Sequence, residues 1–151
     1  PARGKLYQDD TGAMHHAVYL TSRPRVALGH LMGRLGMRGP VQIDDTYVFD
    51  RVDMPAFGYL YTTEIPDDLE HYPLFATSRR PVQILEKYAL TPTNLAKILP
   101  DTVRVMKPNR WRRLSVDQLA DRVHRVVKRI ADPDAQNKKI QKLLDKYTYT
   151  I

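Results

Sequence analysis

The chain has 151 residues, no cysteine and a net charge of +7 at neutral pH. A chain of this length can bury a core without covalent cross-links, and the lack of cysteine excludes disulfides and thiolate metal sites. No apolar run approaches the roughly 20 residues that a membrane-spanning helix requires, so we expect no membrane span.

The N-terminal half alternates strand and helix patterns. Residues 15–21 are rich in β-branched and aromatic side chains, which favours a strand. From Arg25 onward leucines recur at helical spacing, and Gly36 stands where a left-handed helix cap favours glycine. Residues 41–49 predict a second strand, interrupted at Asp44-Asp45.

The middle of the chain predicts a second helix and a third strand. Proline in the first turn of a helix costs no hydrogen bond, so Met54-Pro55 marks the predicted helix start. Residues 67–73 are acidic and loop-like, and residues 74–78 predict a short strand. Pro81 opens a further predicted helix for the same reason as Pro55.

The C-terminal part is predicted to be mainly helical. Thr91-Pro92 caps a short helix, residues 103–106 form a strand, and residues 115–118 (Ser-Val-Asp-Gln) give a capping-box pattern for the clearest helix. Asp132-Pro133 ends that helix and caps the last one, and residues 147–151 are either disordered or an added strand. The apolar stripe of the clearest helix consists of Val116, Leu119, Ala120, Val123, Val126, Val127 and Ile130. The stripe of the last helix consists of Ile140, Leu143, Leu144 and Tyr147.

These elements predict an α+β fold, with an α/β alternation of strands and helices, in three parts. Residues 1–14 form an irregular arm. Residues 15–79 form an α/β core of order strand-helix-strand-helix-strand. Residues 80–151 form a basic, mainly helical extension.

The sequence shows no pattern of a catalytic or metal site. No histidine pair has helical metal-ligand spacing, the acidic residues lack calcium-loop spacing, and no glycine-rich phosphate loop or Gly-x-Ser-x-Gly elbow occurs. We therefore expect no catalytic residue, metal, cofactor or small-molecule substrate, and a protein that is not an enzyme. The five histidines are His15, His16, His30, His71 and His124.

The positive charge is unevenly distributed. Residues 1–90 carry 10 basic and 11 acidic residues, whereas residues 91–151 carry 14 basic and 6 acidic residues. This asymmetry indicates a polyanionic partner such as RNA, the alternative being a pair of solvated basic helices.

The first candidate for RNA binding is a group of four arginines around the first predicted helix. No acidic residue lies between Ser22 and Pro40. The planar guanidinium pairs bidentately with phosphate, so these arginines are expected to bracket an RNA backbone. The group consists of Arg23, Arg25, Arg34 and Arg38.

The second candidate is the loop at residues 107–113, where arginines surround an aromatic side chain. An indole can stack on an unpaired base, and the alternative is that Trp111 is a core anchor before the following helix. Lys138 and Lys139 of the last helix are expected to be solvated and nearly silent in RNA binding. The candidate residues of the loop are Lys107, Arg110, Trp111, Arg112 and Arg113.

Three short motifs occur between His15 and Ser78. A strand ends in Ser22-Arg23, the first helix ends in Met-Gly-Arg-Leu-Gly-Met-Arg (residues 32–38), and Met54-Pro55-Ala56 follows about one strand later. This segment resembles the L-thirty family of large-subunit ribosomal proteins, whose first helix ends in Leu-x-Gly-Leu-Gly-Leu-Arg and whose second helix opens with Thr-Pro-Ala. The resemblance implies a three-stranded sheet backed by two helices, and RNA binding through the arginines at the ends of the first helix.

The long additional segments resemble mitochondrial members of that family, and a removed targeting leader would fit a start at Pro1. The resemblance implies a structural component of the mitochondrial large ribosomal subunit, in the matrix, with ribosomal RNA and neighbouring ribosomal proteins as partners. The alternative is a non-catalytic accessory subunit of a respiratory complex or ATP synthase, whose basic part meets cardiolipin or acidic subunits. A small enzyme is a third class, disfavoured by the absence of a catalytic pattern.

Overall fold

The structure is a computed structural model that describes residues 5–8, 14–35, 39–108 and 114–151. The α+β class is confirmed, and so is the helical character of the C-terminal part. The strands are β1 (Lys5–Gln8), β2 (Met14–Leu20), β3 (Val41–Ile43), β4 (Thr46–Phe49), β5 (Tyr59–Thr63), β6 (Glu70–His71), β7 (Ala76–Ser78), β8 (Ile84–Ala89), β9 (Val103–Met106) and β10 (Thr148–Thr150). The helices are α1 (Pro24–Leu35), α2 (Pro92–Ile98), α3 (Val116–Val127) and α4 (Pro133–Tyr147).

The chain groups into two compact units. The first contains β1, β2, α1 and β5 to β8, and the second contains β3, β4, α2, β9, α3, α4 and β10. This division differs from the predicted boundary after residue 79. The predicted strand at 41–49 lies in the second unit, so it does not join residues 15–21 and 74–78 in the expected three-stranded sheet.

The sheet of the second unit has the strand order β10-β9-β4-β3. β3 and β4 are antiparallel on either side of Asp44, whose φ of 54° lies in the left-handed region that aspartate tolerates. The predicted interruption is therefore a turn, and residues 41–49 form a hairpin. β4 pairs in parallel with β9, and the C-terminal tail adds β10 antiparallel to β9.

One apolar core joins the helices α3 and α4 to this sheet. Burying a large apolar side chain in such a core contributes roughly 1.5–3 kcal/mol to the free energy of unfolding, relative to leaving it exposed. Of the predicted stripe on α3, three residues are buried and the other four are half-buried, with the last of the four beyond the end of the helix. The buried members of the core are Ile43, Val48, Met106, Val116, Leu119, Val123, Ile140 and Leu144.

The predicted caps begin all three C-terminal helices. The capping box of α3 is confirmed, because Ser115 Oγ accepts the N–H of Gln118 at 3.1 Å and Gln118 Oε1 accepts the N–H of Ser115 at 2.9 Å. Thr91 and Asp132 accept the N–H of the third residue of α2 and of α4, at 3.2 and 3.1 Å. Asp50 also accepts the N–H of the first residue of α3, at 3.3 Å.

The first unit contains an antiparallel sheet of order β1-β2-β7-β6 and a separate ribbon of β5 and β8. β2 pairs directly with β7, so that Val18 lies opposite Ser78. Ser78 Oγ donates to Asp68 Oδ1 at 2.7 Å, and the N–H of Arg79 donates to Asp68 Oδ2 at 3.0 Å. Asp68 thereby ties the loop before β6 to the end of β7.

Two predicted helices are wrong. Residues 51–58 contain no helix, and the helix expected from Pro81 is replaced by β8. β5 and β8 contain aromatic and β-branched residues and pair with each other, Tyr59 opposite Ala89. A proline fits the start of a strand as well as the first turn of a helix, so neither proline distinguishes the two.

The substitution Val123→Asp tests whether the α3 stripe supports the core. Val123 is 6% exposed, and an unpaired carboxylate in this apolar cluster has no compensating partner. We expect the free energy of unfolding in urea to fall by about 3 kcal/mol or more. The control is His124→Asp at the exposed neighbouring position, which should cost less than about 1 kcal/mol. An unchanged unfolding midpoint for Val123→Asp would contradict the assignment.

Protonation of Asp68 should destabilise the first unit. Hydrogen bonds from the Ser78 hydroxyl, the larger effect, and from the Arg79 N–H lower the pKa of Asp68 below its ordinary value. The stabilisation is therefore complete above the ordinary aspartate pKa of about 4 and is lost as the pH falls through the lowered value. We expect the Tm difference between wild type and Asp68→Asn to be constant above about pH 5 and to shrink below about pH 4. If the Tm difference between wild type and Asp68→Asn stayed the same down to low pH, folding would not favour the charged form of Asp68.

Candidate nucleic-acid interface

A group of exposed lysines lies on α4. Lys138, Lys142 and Lys146 follow one another at four-residue intervals, which places them along one helix face about 6 Å apart. Lys139 lies beside them, and all four are exposed because the apolar stripe of α4 faces the core. We call these four residues the α4 lysine row.

The α4 lysine row has little charge compensation. Among the residues that the structure describes, no carboxylate oxygen lies within 4.0 Å of the ammonium of Lys138, Lys139 or Lys142. The nearby Asp145 is instead paired with Arg104, whose Nη1 lies 2.9 Å from Asp145 Oδ1. Like charges four residues apart destabilise a helix by roughly 0.2–0.5 kcal/mol per pair. A bound polyanion would relieve this repulsion.

Three further exposed cations lie at the end of α3, namely Arg125, Lys128 and Arg129. The partial negative charge at a helix C-terminus stabilises nearby cations by about 0.3–1 kcal/mol, so these three need no ligand to explain them. Gln136 of α4 closes the corner between the helices, donating from Nε2 to the backbone carbonyl of Ile130 at 2.6 Å. The cations of α3 and the α4 lysine row therefore lie on two helices that are connected by this hydrogen bond.

Other basic residues of the second unit form internal contacts. The side chain of Arg104 is 16% exposed and pairs with Asp145. Lys107, a predicted RNA ligand, donates from Nζ to the backbone carbonyl of Asp145 at 2.8 Å. Arg122 donates to the hydroxyl of Tyr147 and lies over its ring. These contacts hold the end of α4 against β9 and α3.

The predicted arginine group around α1 is described in part. Arg23 is exposed directly before α1, and Arg25 is half-buried in its first turn. The positive end of a helix disfavours cations, so two arginines at this position suit an anionic ligand. Arg34 lies on α1, where the structure describes the backbone alone. Outside the described residues lie Arg38, Arg110, Trp111, Arg112 and Arg113.

Sequence reasoning missed the α4 lysine row. The predicted exposure of Lys138 and Lys139 is confirmed. Their predicted silence in RNA binding is untested, and the proposal below departs from it. Lys138 and Lys139 become candidates for binding only as part of the whole row, and because Asp145 is paired with Arg104 of β9. The available signal was the spacing, because Lys138, Lys142 and Lys146 recur every four residues and the two acids of α4 lie near its ends.

Within the described ranges, no group of three or more histidine, aspartate or glutamate side chains could hold a metal ion. In the same part of the chain, no helix is long and apolar enough to cross a membrane. These observations add no further site to the basic surfaces described above.

The chain matches no protein-family model, no curated protein and no solved structure. Its function is therefore inferred from its own charges, exposure and hydrogen bonds, together with the motifs of its sequence. The feature that a function must explain is the α4 lysine row, in which Lys138, Lys139 and Lys142 have no described carboxylate partner.

Proposed function

We propose that the protein is a non-catalytic, RNA-binding component of a ribonucleoprotein particle. The observation that carries this proposal is the α4 lysine row, which is exposed and lacks described carboxylate partners at Lys138, Lys139 and Lys142. Each lysine that neutralises a phosphate releases condensed counterions, and this release supplies most sequence-independent affinity for nucleic acid. A merely solvated helix gains no stability from like charges side by side.

The internal contacts of the other basic residues support the same proposal. Arg104 and Lys107 both contact Asp145, and Arg122 contacts Tyr147. Their charges are used to fix the end of α4, and the ammonium of Lys146 lies 5.3 Å from the ring centroid of Tyr147. The ammonium groups of Lys138, Lys139 and Lys142 are available to a ligand. Among the described basic residues of this part of the chain, Arg104, Lys107 and Arg122 hold the helix pair, whereas Lys138, Lys139 and Lys142 face outward.

We propose the large subunit of the mitochondrial ribosome, in the matrix, as the particle, with ribosomal RNA and ribosomal proteins as neighbours. This choice is supported by the motif at residues 32–38 and by the arginines around α1. The second helix that the resemblance implies at Met54 is not formed, and residues 41–49 pair in a different sheet. The support is therefore limited to the motif and the charges and does not include the family fold.

Sedimentation separates this proposal from its main alternative. Tagged protein in a mitochondrial extract should co-sediment with a large RNA-containing particle on a sucrose gradient, and ribonuclease should release it. An accessory subunit of a respiratory complex or ATP synthase would instead remain with detergent-extracted membranes, because its lysines would face anionic lipids or acidic subunits. Sedimentation with membranes that ribonuclease leaves unchanged would refute the ribosomal assignment.

Salt dependence tests the α4 lysine row itself. We expect the triple substitution of Lys138, Lys139 and Lys142 by Gln to weaken RNA binding and to flatten the plot of log K against log salt by about two to three units. Glutamine keeps the helix propensity and removes only the charge, so the Tm should change by no more than a few degrees. Binding is measured by fluorescence anisotropy across a salt series.

A matched control removes the same charge elsewhere. Arg51, Arg80 and Lys97 are exposed basic residues outside α4, and Arg51 Nε lies 3.5 Å from Asp53 Oδ1. Their triple substitution by Gln should flatten the slope by less than one unit. The Arg34→Ala, Arg38→Ala variant measures the contact that the ribosomal resemblance implies. Equal losses in the α4 variant and in the control would mean that binding is diffuse attraction to a positively charged protein.

A further inference from the structure

The β5–β8 ribbon of the first unit is unusually exposed for a β-structure. It is two-stranded, and among the described strands it pairs with no other. All of its strand residues are exposed or half-exposed. Isolated two-stranded ribbons are only marginally stable in water. Aromatic side chains exposed on such an element indicate that a ligand covers it.

One face of the ribbon combines two tyrosines with a lysine. Tyr61 lies directly opposite Lys87, and Tyr59 precedes Tyr61 by two residues and so lies on the same face. Lys87 Nζ lies 4.0 Å from the ring centroid of Tyr59 and 5.9 Å from that of Tyr61. Tyr59 and Tyr61 are 50% and 46% exposed. We call these three residues the tyrosine–lysine face.

The opposite face of the ribbon has a different charge. Tyr88 lies opposite Leu60, and Glu86 lies opposite Thr62. The hydroxyl of Tyr88 donates to the carboxylate of Glu86, which is the only acidic residue in the two strands. Both faces of the ribbon thus carry exposed tyrosine, beside the positive Lys87 on one face and the negative Glu86 on the other.

We propose that the tyrosine–lysine face binds an unpaired stretch of RNA, with bases stacked on Tyr59 and Tyr61 and a phosphate held by Lys87. The polymer's identity rests on the proposed function, and the stacking site is additional to it. Aromatic rings in grooves that carry positive charge bind single strands in this way, because every base has a π-face. Residues two apart in a strand are separated by about 6.8 Å, which is twice the rise of about 3.4 Å between stacked bases.

The charge on this face selects RNA over an apolar protein partner. A protein surface that covers the tyrosines would also desolvate the Lys87 ammonium, and no carboxylate of the ribbon lies on this face to pair with it. A nucleic acid supplies the phosphate together with the base. The contact of an exposed ammonium with a ring is weaker than the stacking of a base, so Lys87 can leave the ring of Tyr59 for a phosphate.

The test compares a single-stranded RNA with an abasic strand of equal length and equal phosphate number. Wild type should bind the RNA at least about tenfold more tightly than the abasic strand, since stacking requires bases. In the double variant Tyr59→Leu, Tyr61→Leu, the ratio of the affinity for RNA to the affinity for the abasic strand should fall about tenfold. In the double variant Tyr59→Phe, Tyr61→Phe, this ratio should be retained. Lys87→Gln should flatten the salt slope by about one unit for both strands.

Tyr88→Leu is the matched control, because it removes the same ring from the same ribbon on the acidic face. It should leave the preference for bases unchanged. Equal affinity of wild type for the two strands overturns the stacking site without any substitution, so a misfolded variant cannot hide the result. A preference that survives in Tyr59→Leu, Tyr61→Leu places the stacking elsewhere, for example at Trp111, and also overturns the site. Failure of wild type to bind either strand in a salt-dependent manner overturns the proposed function instead.

Discussion

The packing of α3 and α4 against β4 and β9 is the constraint on which the second unit depends. Val123 on α3, Leu144 on α4 and Val48 on β4 are buried in one cluster, so the rotation of each helix about its own axis is fixed. The face of α4 opposite its apolar stripe then points to solvent, and that face carries lysines. The Arg104–Asp145 pair fixes the end of the same helix and engages one of its two acids.

Exposed groups that cost stability recur in both units. On α4, each like-charge pair costs a few tenths of a kcal/mol, which is small beside the roughly 1.5–3 kcal/mol that each buried core side chain contributes. On the β5–β8 ribbon, Tyr59 and Tyr61 remain about half exposed although burial of aromatic surface is favourable. A polyanion with unpaired bases would stabilise both features.

The sequence correctly predicted the helices whose starts are determined by a hydrogen bond from a neighbouring capping side chain. Ser115, Thr91 and Asp132 cap their helices as expected, because each side chain satisfies an N–H of the next turn whatever the rest of the fold does. The prediction failed at Pro55 and Pro81, where the choice of strand over helix depends on pairing between β5 and β8. The charge surplus was also readable, but its position was not, because the partner of Asp145 is distant in sequence.

Photo-cross-linking of the protein to RNA in its native particle, followed by mapping of the modified peptides, tests the central claim most directly. The account predicts adducts concentrated on peptides from the β5–β8 ribbon and from α4, and lost after ribonuclease treatment before irradiation. Adducts that are absent, or spread over all exposed basic peptides including those of Arg51, Arg80 and Lys97, would contradict it.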